Sequence, residues 1–269
     1  YHGPEFRLSA RYAFTDNFSV KAGFNSMRQY IHKLSNTVIM SPTDTWKLSD
    51  VNIKPQRGWQ AAAGLYLNSP SGIWEYSVEG YYKRMSDYLD YRGGAKLLMN
   101  HHIETDVINT QGHAYGVELQ VKKQVGKLNG WMSYTYSRTF LRQNDKRIEK
   151  PVNNGDWYPT EYDKPHDFKF VGNYKFTHRY SMSINVDYST GRPTTIPAGQ
   201  YYDESTQSMR VYYTERNSYR IPDYFRTDIS FNIEPSHHLT LLTHSSISIG
   251  VYNVTGRKNV YLSLIHISE

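Results

Sequence analysis

Residues 180–189 read Tyr-Ser-Met-Ser-Ile-Asn-Val-Asp-Tyr-Ser, and the alternation is complete. Tyr180, Met182, Ile184, Val186 and Tyr188 fall on one side; Ser181, Ser183, Asn185, Asp187 and Ser189 fall on the other. Successive side chains of a β-strand point to opposite faces, so this stretch predicts a strand with one apolar and one polar face. The pattern recurs. Tyr115, Val117, Leu119 and Val121 alternate with Gly116, Glu118, Gln120 and Lys122. Phe225, Thr227, Ile229, Phe231 and Ile233 alternate with Arg226, Asp228, Ser230, Asn232 and Glu234. Near the start, Phe6, Leu8, Ala10, Tyr12 and Phe14 oppose Arg7, Ser9, Arg11 and Ala13. Weaker versions cover 18–24, 59–67, 74–82, 132–136, 168–176 and 247–251.

Many of these segments are about ten residues long, which is what a tilted strand needs to cross a bilayer. Their polar faces carry charge that a dry core would not accept without partners, whereas a wet or plugged lumen accepts it. The connections supply a second signal. Asp16-Asn17, 69–72, 126–130 and 177–179 are short and rich in turn formers, while 32–58, 90–113, 142–165 and 191–223 are long and polar. Short connections at one end and long ones at the other are the habit of outer-membrane barrels. The expected fold is an all-β, antiparallel transmembrane β-barrel, represented by about ten strands of a larger one.

Composition agrees once the two faces are separated. Among 269 residues there are 25 Tyr, 10 Phe and 5 Trp. The mean hydropathy of −0.69 averages a lipid face against a lumenal one. Cysteine is absent, which removes disulfide scaffolds and thiolate metal sites. The net charge of +6 comes from scattered residues, so no nucleic-acid surface is expected. The chain opens Tyr1-His2-Gly3-Pro4-Glu5 without an export signal, so an exported protein of this kind is expected to have been truncated or processed.

The segment Tyr162-Asp163-Lys164-Pro165-His166-Asp167-Phe168, followed by Tyr188-Ser189-Thr190-Gly191-Arg192-Pro193-Thr194, resembles a late pair of barrel strands in TonB-dependent receptors, especially those of the Bacteroidetes. Gly3–Ser9, Asn52–Gln56, Tyr81–Met85 and Tyr252–Tyr261 are similar to further stretches of that group, in the same order. The resemblance implies the C-terminal portion of a barrel, assigned to residues 1–261. It also implies an N-terminal plug domain in the lumen, contact with the TonB complex through that missing part, outer-membrane lipid around the wall and a surface lipoprotein as partner. The function it implies is uptake of a siderophore, vitamin or oligosaccharide with TonB-transmitted energy. No cofactor is implied. The last eight residues, Leu262–Glu269, resemble a translated sequencing adapter and are expected to be a non-native tail. A fragment with two open edges is expected to aggregate when expressed alone.

Ligand capture is expected in the long loops. Asp156, Trp157 and Tyr158, within the acidic and aromatic run 156–162, and Tyr201-Tyr202 before Asp203-Glu204 combine rings with hydrogen-bonding groups. His101-His102 adds borderline metal ligands, although adjacent histidines in a polar loop are more often solvated. The tryptophans 46, 59, 74, 131 and 157 read first as interface anchors. The lumenal ions Arg7, Arg11, Glu75, Glu79, Glu118, Lys122, Lys169, Asp187, Arg226 and Asp228 read as pairing with one another or with a plug. No nucleophile elbow, zinc-protease helix, P-loop or dinucleotide fingerprint occurs, so no enzyme is expected. Two rival readings are a passive porin or adhesin-type barrel, which an upstream plug domain would exclude, and a soluble glycan-binding β-protein, which would stay in solution without detergent.

Overall fold

A computed structural model describes residues 1–34, 45–51, 53–91, 107–143, 151–204, 207–234 and 246–260. The chain opens with the hairpin β1 (Phe6–Ala13) and β2 (Phe18–Gln29), then a short ribbon of β3 (Ile31–Leu34) and β4 (Thr45–Leu48). Four long strands follow: β5 (Gln56–Asn68), β6 (Trp74–Tyr91), β7 (Val107–Lys123) and β8 (Leu128–Gln143). After a 3-10 turn at Val152–Gly155 come β9 (Tyr158–Pro159), β10 (His166–Lys175) and β11 (Tyr180–Ser189). The next connection holds β12 (Pro193–Thr194), β13 (Pro197–Asp203), β14 (Ser208–Tyr213) and β15 (Tyr219–Arg220), before β16 (Tyr224–Ile233) and β17 (Ile247–Val251).

Ten strands form one antiparallel ladder in the order β1-β2-β5-β6-β7-β8-β10-β11-β16-β17, with β9 added to the far end of β8. This is a partial barrel wall, as the alternation predicts. Its register sorts the side chains. One row across nine strands reads Tyr12, Val20, Leu65, Val78, Leu119, Tyr134, Phe168, Tyr188 and Phe225. The adjoining row on the opposite face reads Arg11, Lys21, Gly64, Glu79, Glu118, Thr135, Asp167, Ser189 and Tyr224. The apolar side chains stay exposed in large numbers, as a lipid-facing surface requires. Few side chains are fully buried, and most of those lie at the long-loop end.

Aromatics bound the apolar face. Trp59 stacks near Phe24, with ring centroids 6.1 Å apart, and lies 5.6 Å from Tyr82. Trp74 and Tyr76 mark the other margin on β6. Trp74 and Tyr82, eight residues apart on one strand, span about 26 Å along it at roughly 3.3 Å per residue, which at the roughly 40° tilt of barrel strands covers about 20 Å of membrane depth.

Four tight turns close the hairpins at one end, and side chains cap them. The Thr15 hydroxyl accepts the Phe18 N–H at 3.0 Å, Ser69 accepts that of Trp74 at 3.1 Å, and Thr177 that of Tyr180 at 3.2 Å. The turn placed at 126–130 is tighter than its residues suggest, because Leu128 already belongs to β8. The connection between β16 and β17, which holds His237-His238, lies mostly outside the described residues. So do His101-His102 and the tail 262–269. At the other end the strands run beyond the expected limits: β6 continues to Tyr91 and β7 begins at Val107. The expected loop 191–223 is itself folded, with β13 pairing β14 and β12 pairing β15. These extensions are covered by the loop assembly instead of lipid, so Ile108 and Thr110 are buried alike and the regular apolar-polar alternation fades.

Candidate functional site

The long connections converge at one end of the wall, and buried charge holds them there. Asp163, whose side chain has no exposure, accepts the Thr139 backbone N–H at 2.8 Å and the Arg138 Nε at 3.3 Å. Arg220 donates to the same carboxylate and, through its other terminal nitrogen, to the Gly191 carbonyl at 2.9 Å. Gly191 is required by geometry. A Cβ there would sit 1.7 Å from the Ile221 carbonyl oxygen, and its N–H donates to Asp223 at 2.9 Å. Tyr188 donates to the second Asp223 oxygen at 2.8 Å. These bonds hold the Asp223 carboxyl below the usual carboxylate range, the Gly191 N–H contributing most. The two motif segments thus clamp each other at the base of the loops.

A second clamp lies beside the first. Arg216 reaches 126 residues back to Asp90 at 2.7 Å and also donates to the Tyr91 carbonyl at 2.5 Å. Its backbone N–H donates to the Asn153 side-chain oxygen at 2.8 Å, and the Asn153 amide returns a bond to the Arg216 carbonyl at 3.1 Å. Asn153 occupies the left-handed region with φ 48°, which asparagine tolerates better than most residues. Tyr158, 1% exposed, donates its hydroxyl to Asp90. Burial first, then the Asp90 charge, pushes that hydroxyl far above its ordinary titration range.

Beside the second clamp lies a cavity of about 390 Å³, bordered by Gln29, His32, Tyr88, Thr160, Glu161, Tyr162 and Arg216 among others. The His32 Nε2 lies 2.8 Å from the Ser49 hydroxyl, while the buried His32 Nδ1 and Thr160 Oγ1 have no hydrogen-bond partner among the described residues. Burial lowers the His32 pKa, favouring a neutral ring. Glu161 moves upward, chiefly because it is taken out of water and further because of Asp90, with Arg216 and Arg192 opposing. It borders the cavity and keeps exposed surface. The lining combines tyrosine rings and neutral donors and acceptors with the Asp90–Arg216 pair and a reluctant acid, groups that suit holding a polar molecule. Among the described residues no group of three metal-ligating side chains converges.

The expected ligand residues are placed apart. Trp157 and Tyr158 precede and enter β9, which pairs with β8 through Pro159↔Phe140 and Tyr158↔Leu141. Trp157 therefore lies on the outward side, edge-on to His113 at 4.4 Å, while Tyr158 turns inward. Asp156 is exposed beside them. Tyr201 and Tyr202 lie exposed on the β13–β14 hairpin, opposite Arg210 and Met209, and share no sheet with the wall. The run 156–162 does border the cavity, through Tyr158, Thr160, Glu161 and Tyr162. Sequence reasoning missed Asp90, Arg216 and His32, because no local spacing announces a pair 126 residues apart. Of the lumenal ions, Glu75 pairs with Lys122 at 3.5 Å and Arg226 with Asp228 at 2.8 Å. Lys169 pairs with Asp167 at 3.6 Å rather than with Asp187 across the ladder.

Comparison with known proteins gives one family. Residues 4–254 match the model described as TonB dependent receptor-like, β-barrel. No curated protein matches the sequence. Among solved structures, the ferripyoverdine receptor of the Pseudomonas aeruginosa outer membrane superposes with a TM-score of 0.56 at 14% identity, over 93% of this chain and 29% of that one. The ferric-catecholate import receptor Fiu of Escherichia coli gives 0.56 at 14% identity, over 93% and 30%. The FrpB iron transporter of Neisseria meningitidis gives 0.57 at 12% identity, over 94% and 35%. At such identity the likeness is one of fold, and the chain spans about a third of the length of these neighbours.

Proposed function

The chain belongs to the TonB-dependent receptor-like β-barrel family, and from that premise we propose that it forms part of an outer-membrane receptor that takes up a scarce ligand with TonB-transmitted energy. The family is one of transport receptors rather than enzymes. The observation that carries the reading is a wall that is apolar outside and charged inside, crowned at its long-loop end by a buried-charge assembly with a cavity of mixed lining beside it. On this reading the tight turns face the periplasm and the loops face the exterior. A plug domain fills the lumen, the TonB complex acts through it, and a surface lipoprotein joins at the loops. The exposed Asp156, Tyr201 and Tyr202, together with His101 and His102, are the first ligand contacts to test, while Tyr158 shapes the cavity through Asp90. Residues 1–261 are barrel and 262–269 are not part of it, which a long sequencing read across the locus checks.

The ligand is one of three classes: a ferric chelate, a vitamin-like cobalt complex or an oligosaccharide. Cells with and without the receptor gene are offered radiolabelled members of each, in backgrounds with and without TonB. The proposal expects uptake of one class to disappear when either gene is removed. Uptake that needs the receptor but persists without TonB contradicts it and supports a passive porin.

A further inference from the structure

The sequence holds two Asn-Gly pairs, Asn129-Gly130 and Asn154-Gly155. Glycine presents the least crowded backbone nitrogen, so an asparagine before it is open to attack on its own side-chain carbonyl. The fold treats the two pairs oppositely. Asn129 and Gly130 belong to β8, with Asn173 and Gly172 of β10 opposite them. A Cβ at Gly130 would lie 2.1 Å from the Val171 carbonyl oxygen, so the backbone there has no room to turn. The Asn129 amide is engaged as well, donating to the Gly126 carbonyl and accepting from Asn173, each at 3.5 Å. Asn217, which precedes Ser218, is buried and donates to the Pro159 carbonyl at 2.8 Å.

Asn154 has none of this protection. It is exposed in the 3-10 turn before β9, and its side chain makes no hydrogen bond among the described residues. It sits at φ 54° and ψ 22°, a left-handed conformation that a residue with a Cβ adopts at a cost. The nearest atom that a Cβ at Gly155 would meet is the Pro151 Cγ at 3.7 Å, which leaves space for the peptide to rotate. Immediately before it, Asn153 exchanges the two hydrogen bonds with Arg216 that tie this turn to the 191–223 connection.

We propose that Asn154 is a site of spontaneous deamidation whose product loosens the tie between Asn153 and Arg216. Rotation about the Asn154 backbone brings the Gly155 nitrogen onto the Asn154 Cγ. A C–N bond forms there, the Cγ–Nδ2 bond breaks, and ammonia leaves with the proton that the Gly155 nitrogen gives up. Water then adds to either carbonyl of the resulting succinimide ring, which opens to aspartate or isoaspartate. Isoaspartate carries the backbone through the former side chain and adds a carbon between Asn153 and Gly155. The reciprocal bonds need Asn153 held at φ 48° facing Arg216, which a lengthened turn no longer secures.

The test uses the full receptor carrying this chain, aged in mild detergent at mildly alkaline pH. Peptide mapping locates aspartate and isoaspartate, and hydrogen exchange follows the Arg216 amide. Conversion should accumulate at Asn154 and stay at background at Asn129. In urea both should convert, because only the fold separates them. Protection of the Arg216 N–H, which donates to Asn153 at 2.8 Å, should be lost along the same time course. Asn154→Gln should stop both changes. Asn154→Asp, which adds the charge without the extra carbon, should begin with most of the protection intact. No conversion at Asn154, equal conversion at Asn129 in the folded receptor, an unreactive Asn129 in urea, or an Arg216 amide indifferent to ageing would each overturn the proposal. Ligand uptake is not read, so failure of the transport reading would register separately.

Discussion

The middle of the wall and its long-loop end are built on the same strands but held by different forces. In the middle, backbone ladder bonds join neighbours while side chains face two solvents, and few groups are buried. At the loop end, the largest buried side chains include Tyr158, His32 and Asp163, and charge pairs join residues up to 126 apart. The wall depends on matching each face to its surroundings. The loop end depends on leaving no buried charge alone.

Substitutions should separate the two regimes, and the largest effect belongs to the loop end. Asp163→Ala strands Arg138 and Arg220 around an empty carboxylate site and should cost about 3–5 kcal/mol, read by denaturant titration of the receptor in lipid. Next comes the outward middle of the wall. Val78→Arg places a cation toward hydrocarbon and should cost roughly 2–4 kcal/mol, whereas a neutral loss would show that this face is wet. Tyr158→Phe removes one hydrogen bond to Asp90 but leaves Arg216 in place, and about 1–2 kcal/mol is expected. On the lumenal wall, Glu75→Gln breaks a part-exposed pair with Lys122 and should cost less than about 1 kcal/mol.

The smallest effect is a pH dependence at the loop base. The Asp223 carboxyl titrates below its unfolded value, so its contribution is complete above the ordinary carboxylate range and is lost as pH falls through the lowered value. Asp223→Asn should flatten the acid limb of a stability profile by lowering stability at neutral pH, and leave stability below the lowered value nearly unchanged.

The same contrast explains what the sequence disclosed. Wall strands were legible because lipid and lumen impose opposite chemistry on adjacent residues, as in 180–189, and the tight turns because Thr15, Ser69 and Thr177 cap them locally. The extensions of β6 and β7 were not, since the loop assembly buries polar Thr110 as fully as Ile108; a shift of register past Met85, near Asp87 at φ 55°, also breaks the pattern on β6. The run 156–162 pointed to the cavity, yet its residues divide between faces, with Trp157 outward and Tyr158 inward. Asp90 and Arg216 look like ordinary loop charges until the chain brings them together.

The central claim is that one face of this wall meets lipid and the other a polar lumen. Spin labels placed singly at residues 76 to 82 on β6, in the receptor in outer membranes, would read oxygen and water-soluble nickel accessibility at each site. The account predicts a period of two, with 76, 78, 80 and 82 favouring oxygen and 77, 79 and 81 favouring nickel or shielded from both. Uniform nickel accessibility, or alternation in the opposite phase, would contradict it.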